Sequence, residues 1–326
     1  MAEERSAVID YSVYLLVRIA VCIVQTLSWR AALALARACA WIAYRVDRRH
    51  RLVATANVRC AFPNFDEAAV DRLVRASYLH LTTMLVEMMR LPRILRPATV
   101  GHFVKHAHPG DLALICAWVA TGRPRLVLSG HFGNWEIIAY LTGLVGFRGA
   151  IVARRLDNPY LDRFLAQFRR KTGLKLLDKN ADYKAILETL AQGGGVGMAV
   201  DQDAGPRGLY VDFLGRPAST FKSIALLSLE YQAPIFVFGA ARVGQPMQYR
   251  LYLEDLILPE EYVDDPDATR AITQRYSRAL ERLIRRYPEQ YFWLHRRWKH
   301  QPTLRGNRRA ACPSRVRDSA LLGAKR

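Results

Sequence analysis

The sequence predicts an α/β fold, with a single largely parallel sheet flanked by helices and an apolar, membrane-associating helical segment at the N-terminus. Three observations predict it. From Arg125 onward, short β-type apolar runs alternate with helical patterns. Before that point the periodicity is helical, opening with an almost continuous apolar stretch. With 326 residues, 51% of them hydrophobic, the chain can bury a sizeable core and is not globally disordered.

The first stretch, from Ala7 to about Ala43, is interrupted by Arg18, Arg30 and Arg37. Tyr11 to Leu27 approaches the roughly 20 residues needed to cross a bilayer. Arg18 at its middle would cost about 2.5–3.5 kcal/mol at the membrane centre, which favours a shallowly inserted helix over a span. Glu3 and Glu4 stand where a cleaved signal would be basic. A pair of buried core helices is the competing reading. Arg45, Arg48, Arg49, His50 and Arg51 follow directly, as expected beside the cytoplasmic face of an anionic membrane. Residues 1–55 are therefore assigned to a membrane-associating segment, 56–302 to an α/β domain, and 303–326 to a basic disordered tail, which has seven Lys or Arg against one Asp.

Asn64 to Met89 reads as an amphipathic helix with Asn64 or Asp66 at its start, Val70, Leu73, Val74, Tyr78, Leu81 and Leu85 on one face, and Leu91-Pro92 as its stop. His80 and Glu87 are expected at solvated positions. Strands follow at 126–128, 150–153, 174–177, 195–200, 235–240 and 249–253. The helices between them fall at 134–144, 159–172, 181–192 and 221–231. Asn158-Pro159 supplies a cap and a first helical residue. A last helix, Asp267 to Tyr287, carries Ile272, Tyr276, Leu280 and Ile284 on one face. In PEQYFWLHRRWK beyond it, aromatic and basic residues interleave, so that Trp293 and Trp298 either close the core or meet a lipid interface.

Lys and Arg outnumber Asp and Glu by 48 to 29, a net charge of +19 that calls for an acidic partner: nucleic acid, an anionic bilayer, or an acidic protein or phosphorylated substrate. Neither zinc-finger spacing nor an aromatic RNA-binding motif is present, so a nucleic-acid partner is not expected. A non-enzymatic basic protein binding membranes or nucleic acid is the alternative from another class. The five cysteines form no C-x-x-C, which argues against a metal site or disulfide framework.

Chemistry concentrates in RLVLSGHFGNWEIIAY, Arg125 to Tyr140, where a strand gives way to a helix beginning near Asn134. His131 stands in the turn and Glu136 in the first helical turn, where the macrodipole favours an anion. A carboxylate held against an imidazole fixes its tautomer and frees the other nitrogen as a general base. The spacing equally suits a capping-box glutamate reaching back to Gly133 and a hydrogen-bonded turn histidine. No G-x-S-x-G motif offers a serine nucleophile, so a base here would act on a bound hydroxyl, with helix-start N–H groups receiving an oxyanion.

SGHFGNWE resembles the H-x-x-x-x-E signature of the late acyltransferases of lipid A biosynthesis, the lauroyl and myristoyl transferases, and of their phosphatidylinositol-mannoside relatives. Further matches follow in the family's order: Ala153-Arg154-Arg155 with Asn158-Pro159, Arg169, Val200 to Gly205, Val211 to Ala218, and Pro288 to Tyr291 with Trp293 to Arg297. The resemblance runs from the apolar helix to Lys299 and implies a membrane-associated O-acyltransferase. It would move a fatty acyl chain from acyl carrier protein or acyl-CoA to a hydroxyl of a lipid A precursor or similar glycolipid, at the cytoplasmic face of the bacterial inner membrane. It implies His131 as general base, Glu136 as its orienting carboxylate, and Asp201 or Asp203 facing the same cleft. Arg154 and Arg169 would hold a phosphate of the substrates. Asn134 joins the substrate-binding candidates, and Phe213 and Gly215 either line the acyl channel or form a plain hairpin. The resemblance implies no cofactor or metal. A lysophospholipid, ornithine-lipid or phosphatidylinositol-mannoside acceptor is the alternative. Phe221-Lys222 departs from the small residues the family tends to carry there.

Overall fold

A computed structural model describes residues 7–144, 149–170, 175–178 and 182–302. The tail expected to be disordered, and the predicted element ends at 171–172, 174 and 181, lie outside the described residues. The first quarter of the chain is helical: α1 (Ala7–Thr26), α2 (Trp29–Val46), α3 (Arg48–Ala61) and α4 (Glu67–Ile94). The remainder runs α5 (Val100–Phe103), β1 (Val104–His106), α6 (Asp111–Ala120), β2 (Arg125–Ser129), α7 (Trp135–Leu144), β3 (Gly149–Ala153), α8 (Pro159–Arg170), β4 (Lys175–Asp178), α9 (Tyr183–Ala191) and β5 (Gly195–Ala199). After these come β6 (Leu209–Phe213), β7 (Arg216–Thr220), α10 (Ser223–Tyr231), β8 (Ile235–Arg242), β9 (Tyr249–Ile257) and α11 (Ala268–Arg286).

Seven strands form one sheet in the order β1-β9-β8-β2-β5-β3-β4, and β6 and β7 pair separately. Every pairing in the large sheet is parallel except β8 with β9. Strand β2 is buried along its whole length, as a central strand requires. Alternation splits its side chains between two cores. Leu126 and Leu128 join Ile235 and Val237 on the face covered by α9, α10 and α11. Val127 joins Phe236, Phe238 and Leu251 on the opposite face, under α6 and α7.

Helix α1 packs on α4 and α8 but leaves Val8, Ile9, Leu16, Ile19 and Ile23 exposed. It is long and apolar enough to cross a membrane. Arg18 donates to the Tyr14 hydroxyl (2.9 Å) and lies 5.1 Å from the centre of the Phe164 ring of α8, a cation–π contact that partners its charge. Small residues Ala32, Ala36 and Ala40 let α2 approach α4 closely.

Asp66 caps α4 through a 2.6 Å bond to the Ala69 amide, and the helix then continues through Leu91-Pro92 to Ile94, beyond the stop expected from sequence. Pro92 removes one backbone donor without ending the helix, because Leu91 and Leu95 are fully buried in the core under α7 and hold that turn in place.

His80 and Glu87, expected at solvated positions on α4, are both buried. Glu87 pairs in bidentate fashion with Arg242 at the end of β8 (2.7 and 2.8 Å) and also accepts from the Met247 amide at 3.0 Å. Burial opposes the Arg242 charge, yet the Glu87 carboxylate raises its pKa above the usual value. Arg242 donates to His80 Nδ1 (3.0 Å), which leaves His80 Nε2–H to donate to the Gly133 carbonyl at 3.1 Å. Burial, reinforced by the Arg242 charge, pushes the His80 pKa down to about 3, so this tautomer is neutral at physiological pH. Sequence periodicity places such residues on a helix but does not reveal a partner 155 residues away.

Removing one partner of a buried ion pair strands the other charge. Glu87→Ala is expected to destabilise the fold by about 3–5 kcal/mol in denaturant titrations. Glu67→Ala, which breaks the exposed pair with Arg59, leaves the unfolding midpoint essentially unchanged.

Candidate active site

The pairing of β2 with β5 sets the site. Ser129 lies opposite Ala199 in parallel register, so residues two positions beyond each strand also come together: His131 after β2 and Asp201 after β5. The His131 ring Nδ1–H donates to Asp201 Oδ1 at 2.8 Å, and the His131 backbone N–H donates to Oδ2 at 2.8 Å. The carboxylate hydrogen-bonded to this imidazole is therefore Asp201, whereas the sequence spacing gave that place to Glu136. A glycine precedes His131 because a side chain at 130 would press on the Asp201 carboxylate, its Cβ 3.3 Å from Oδ2.

Burial opposes ionisation of His131, but the Asp201 charge and hydrogen bond, with a further contribution from Glu136, outweigh it and raise the pKa above 6.5. Burial likewise opposes the Asp201 charge, and His131 outweighs it, holding the carboxyl below the usual carboxylate range. Glu136 stands in the first turn of α7, as expected, and is buried. The Trp135 ring meets His131 edge-on with centres 5.2 Å apart.

The turn itself is fastened at nearly every peptide group. His131 O accepts from Phe292 N (2.9 Å), Gly133 N donates to Gln290 O (2.8 Å), and Asn134 N donates to Ala240 O (2.9 Å). Gly133 has φ +57°, and a Cβ there would lie 1.9 Å from Ala240 O, so only glycine fits. Asn134, a substrate-binding candidate by sequence, is fully buried and caps α7: Oδ1 accepts from Ile137 N (3.3 Å) and Nδ2 donates to Tyr249 OH (3.0 Å). The amides of His131, Gly133 and Asn134 are thus committed to the protein.

A cavity of about 430 Å³ opens at the carboxyl ends of β2, β3 and β5, with His131 and Glu136 in its wall. Its lining is mostly apolar, with Ile138, Ile151, Met198, Ile186 and Leu227 prominent, and Arg154 and Gln202 add polar groups. Arg154 is exposed at the rim, paired with Asp157 at 3.1 Å. Arg169 lies on α8, and its side chain is outside the described residues.

Other candidates fall elsewhere. Asp203 pairs with His300 Nδ1 at 2.6 Å and not with His131. Phe213 and Gly215 belong to the β6–β7 hairpin: Phe213 is buried against Trp298 and Tyr291, and Leu214 and Gly215 make the turn with φ of +54° and +82°. Neither residue lines the cavity beside His131. Trp293 and Trp298 are buried and close the core. Arg297 is buried too, donating to Ser219 O (2.5 Å) and Thr220 Oγ1 (2.7 Å). His295 falls within the family match at Trp293 to Arg297 but had no expected role; its ring nitrogens contact the carbonyls of Phe292 (2.8 Å) and Asp201 (2.9 Å), so that it braces the backbone beneath the His131 partner.

A model of the bacterial lipid A biosynthesis acyltransferase family matches residues 2–300. The chain is 27% identical over 265 residues to the lipid A biosynthesis lauroyltransferase of Escherichia coli (strain K12), covering 80% of this chain and 83% of that one. It is 24% identical over 268 residues to a lipid A biosynthesis acyltransferase of Haemophilus influenzae, covering 79% and 80%. It is 23% identical over 259 residues to the lipid A biosynthesis myristoyltransferase of Escherichia coli (strain K12), covering 77% and 75%. With nearly its whole length matched, the chain belongs to the bacterial lipid A biosynthesis acyltransferase family, and it is an acyltransferase.

Proposed function

We propose that the protein transfers a fatty acyl group from an acyl thioester, carried by acyl carrier protein or coenzyme A, to a hydroxyl of a lipid A precursor or similar glycolipid. The observation that carries this reading is the half-buried His131, hydrogen-bonded to the buried Asp201, in the wall of a mostly apolar cavity of about 430 Å³. The names of the relatives support the acceptor class.

Asp201 holds the Nδ1–H tautomer, leaving Nε2 to take the acceptor's hydroxyl proton. The alkoxide adds to the thioester carbonyl, the C–O bond forms, and collapse of the tetrahedral intermediate breaks the C–S bond. The thiolate leaves with the proton from Nε2. Asp201, hydrogen-bonded to the ring, stabilises the transient imidazolium, and Glu136 adds a second negative charge. The N-terminal turn of α7, which brings Trp135 and Glu136 to the cavity, supplies the positive end of a helix dipole for the oxyanion. Arg154 at the rim suits a phosphate of either substrate.

The exposed apolar face of α1, with the basic stretch from Arg45 to Arg51, favours an anionic bilayer at the cytoplasmic face of the inner membrane. That surface also suits the acidic acyl carrier protein. Leu16 and Ile19 are exposed on α1, and replacing both by Glu is expected to weaken binding to anionic vesicles about a hundredfold in flotation assays.

Transfer of labelled acyl groups from acyl thioester to purified lipid A precursor tests the reading. His131→Ala and Asp201→Asn are each expected to lower turnover about 10²–10⁴-fold with the circular dichroism spectrum retained. Full activity in either variant would sink it.

The base must be neutral to act, so kcat/KM is expected to rise with pH through the His131 pKa, which lies above 6.5. Because the Asp201 charge raises that value, the residual activity of Asp201→Asn should reach its plateau at lower pH than the parent. A pH–rate profile with the same midpoint for both proteins would contradict the pairing.

A further inference from the structure

A second cavity, of about 290 Å³, lies between α6, α7 and the sheet. Apart from His106 and Arg125, its lining is almost wholly apolar, with Ile115 and Trp118 from α6, Leu141 from α7, and Phe236 and Phe238 from β8 among the larger side chains. Val127 and Ile138 line this cavity and also the one beside His131. Both side chains are buried, so they stand as a partition between the two spaces.

We propose that the second cavity receives the distal end of the donor's fatty acyl chain, with Val127 and Ile138 as the gate that sets the longest chain accepted. The proposal rests on the acyl-transfer reading for the identity of the chain. At about 30 Å³ per methylene, close to a water molecule's share of liquid volume, the two cavities hold roughly fourteen and roughly ten such groups. A chain that outgrows the first space has the second directly behind it. An apolar void of this kind gains nothing from water and gains hydrophobic transfer energy from a hydrocarbon. The gate is made of one residue from β2 and one from α7, the elements that flank the His131 turn, so the reach of the chain is measured from the reacting carbonyl.

The test is equilibrium binding of unbranched saturated fatty acids from octanoate to stearate, by displacement of a fluorescent fatty acid below the micelle limit. In the parent protein, affinity should rise about fourfold per added methylene through palmitate. Val119→Phe and, independently, Ile115→Phe fill the second cavity from α6, and each should end that rise near myristate, lowering the stearate-to-decanoate affinity ratio about tenfold or more. Thermal melts identify whether either variant has lost its fold. Parallel chain-length profiles for the parent and the folded variants would overturn the proposal. This measurement needs no turnover, so its failure is distinct from failure of the transferase reading.

In the transfer assay, the same variants should lower the palmitoyl-to-decanoyl turnover ratio about tenfold, and Ile138→Ala should raise it. An unchanged donor profile with an altered KM for the acceptor would place an acceptor chain in the cavity and overturn the assignment.

Discussion

The close approach of Gly133 to Ala240 is the constraint on which the site depends. It forces the loop after β2 to lie against β8, where backbone bonds from Asn134 to Ala240 and from Gly133 to Gln290 replace the sheet ladder. A loop fixed by non-local bonds at successive peptide groups has little freedom left to lose when substrate arrives. His131 is thereby presented at a fixed height above the sheet, and the in-register pairing of β2 with β5 brings Asp201 to it. The buried chain from Glu87 through Arg242 to His80 supports the same loop from behind, ending on the Gly133 carbonyl.

Much of this was legible in the sequence, and the failures have a common cause. Alternating β and helical runs gave the largely parallel sheet, and the break at Ser129-Gly130 located the turn. The first-turn placement of Glu136 also followed, because it depends on contacts a few residues apart. What residue spacing could not show were partnerships across the fold, and the resemblance put Asp201 or Asp203 in the cleft without saying which of them bonds His131. Spacing offered Glu136 as the partner of His131, whereas the partner 70 residues away is brought in by strand register. His80 and Glu87 looked solvated because the charge that satisfies them, Arg242, belongs to β8. The same holds for Pro92, where tertiary packing carried a helix through a residue that usually ends one.

The two faces of the sheet divide the work. One, under α9, α10 and α11, carries an aliphatic and aromatic core bordered by Trp293, Trp298 and the buried Arg297, and lends Ile186 and Leu227 to the cavity beside His131. The other, under α6 and α7, has 290 Å³ of unfilled apolar space beside a large aromatic and aliphatic cluster. Cavities of this size forfeit dispersion contacts, and α6, with Leu112 and Leu114 exposed, covers this one.

Asn158 joins two parts of the molecule that a sequence-level division separates. Its Oδ1 accepts from the amides of Tyr160 and Leu161, starting α8, while its Nδ2 donates to the Asp10 carbonyl of α1. Helix α8 in turn contributes Leu165 to the wall of the cavity beside His131. The apolar helix at the N-terminus is therefore not a tether from which a catalytic body hangs but part of that body's frame. A contact that turned α1 would therefore turn the cavity mouth with it, in the way a keel sets the course of the hull above it.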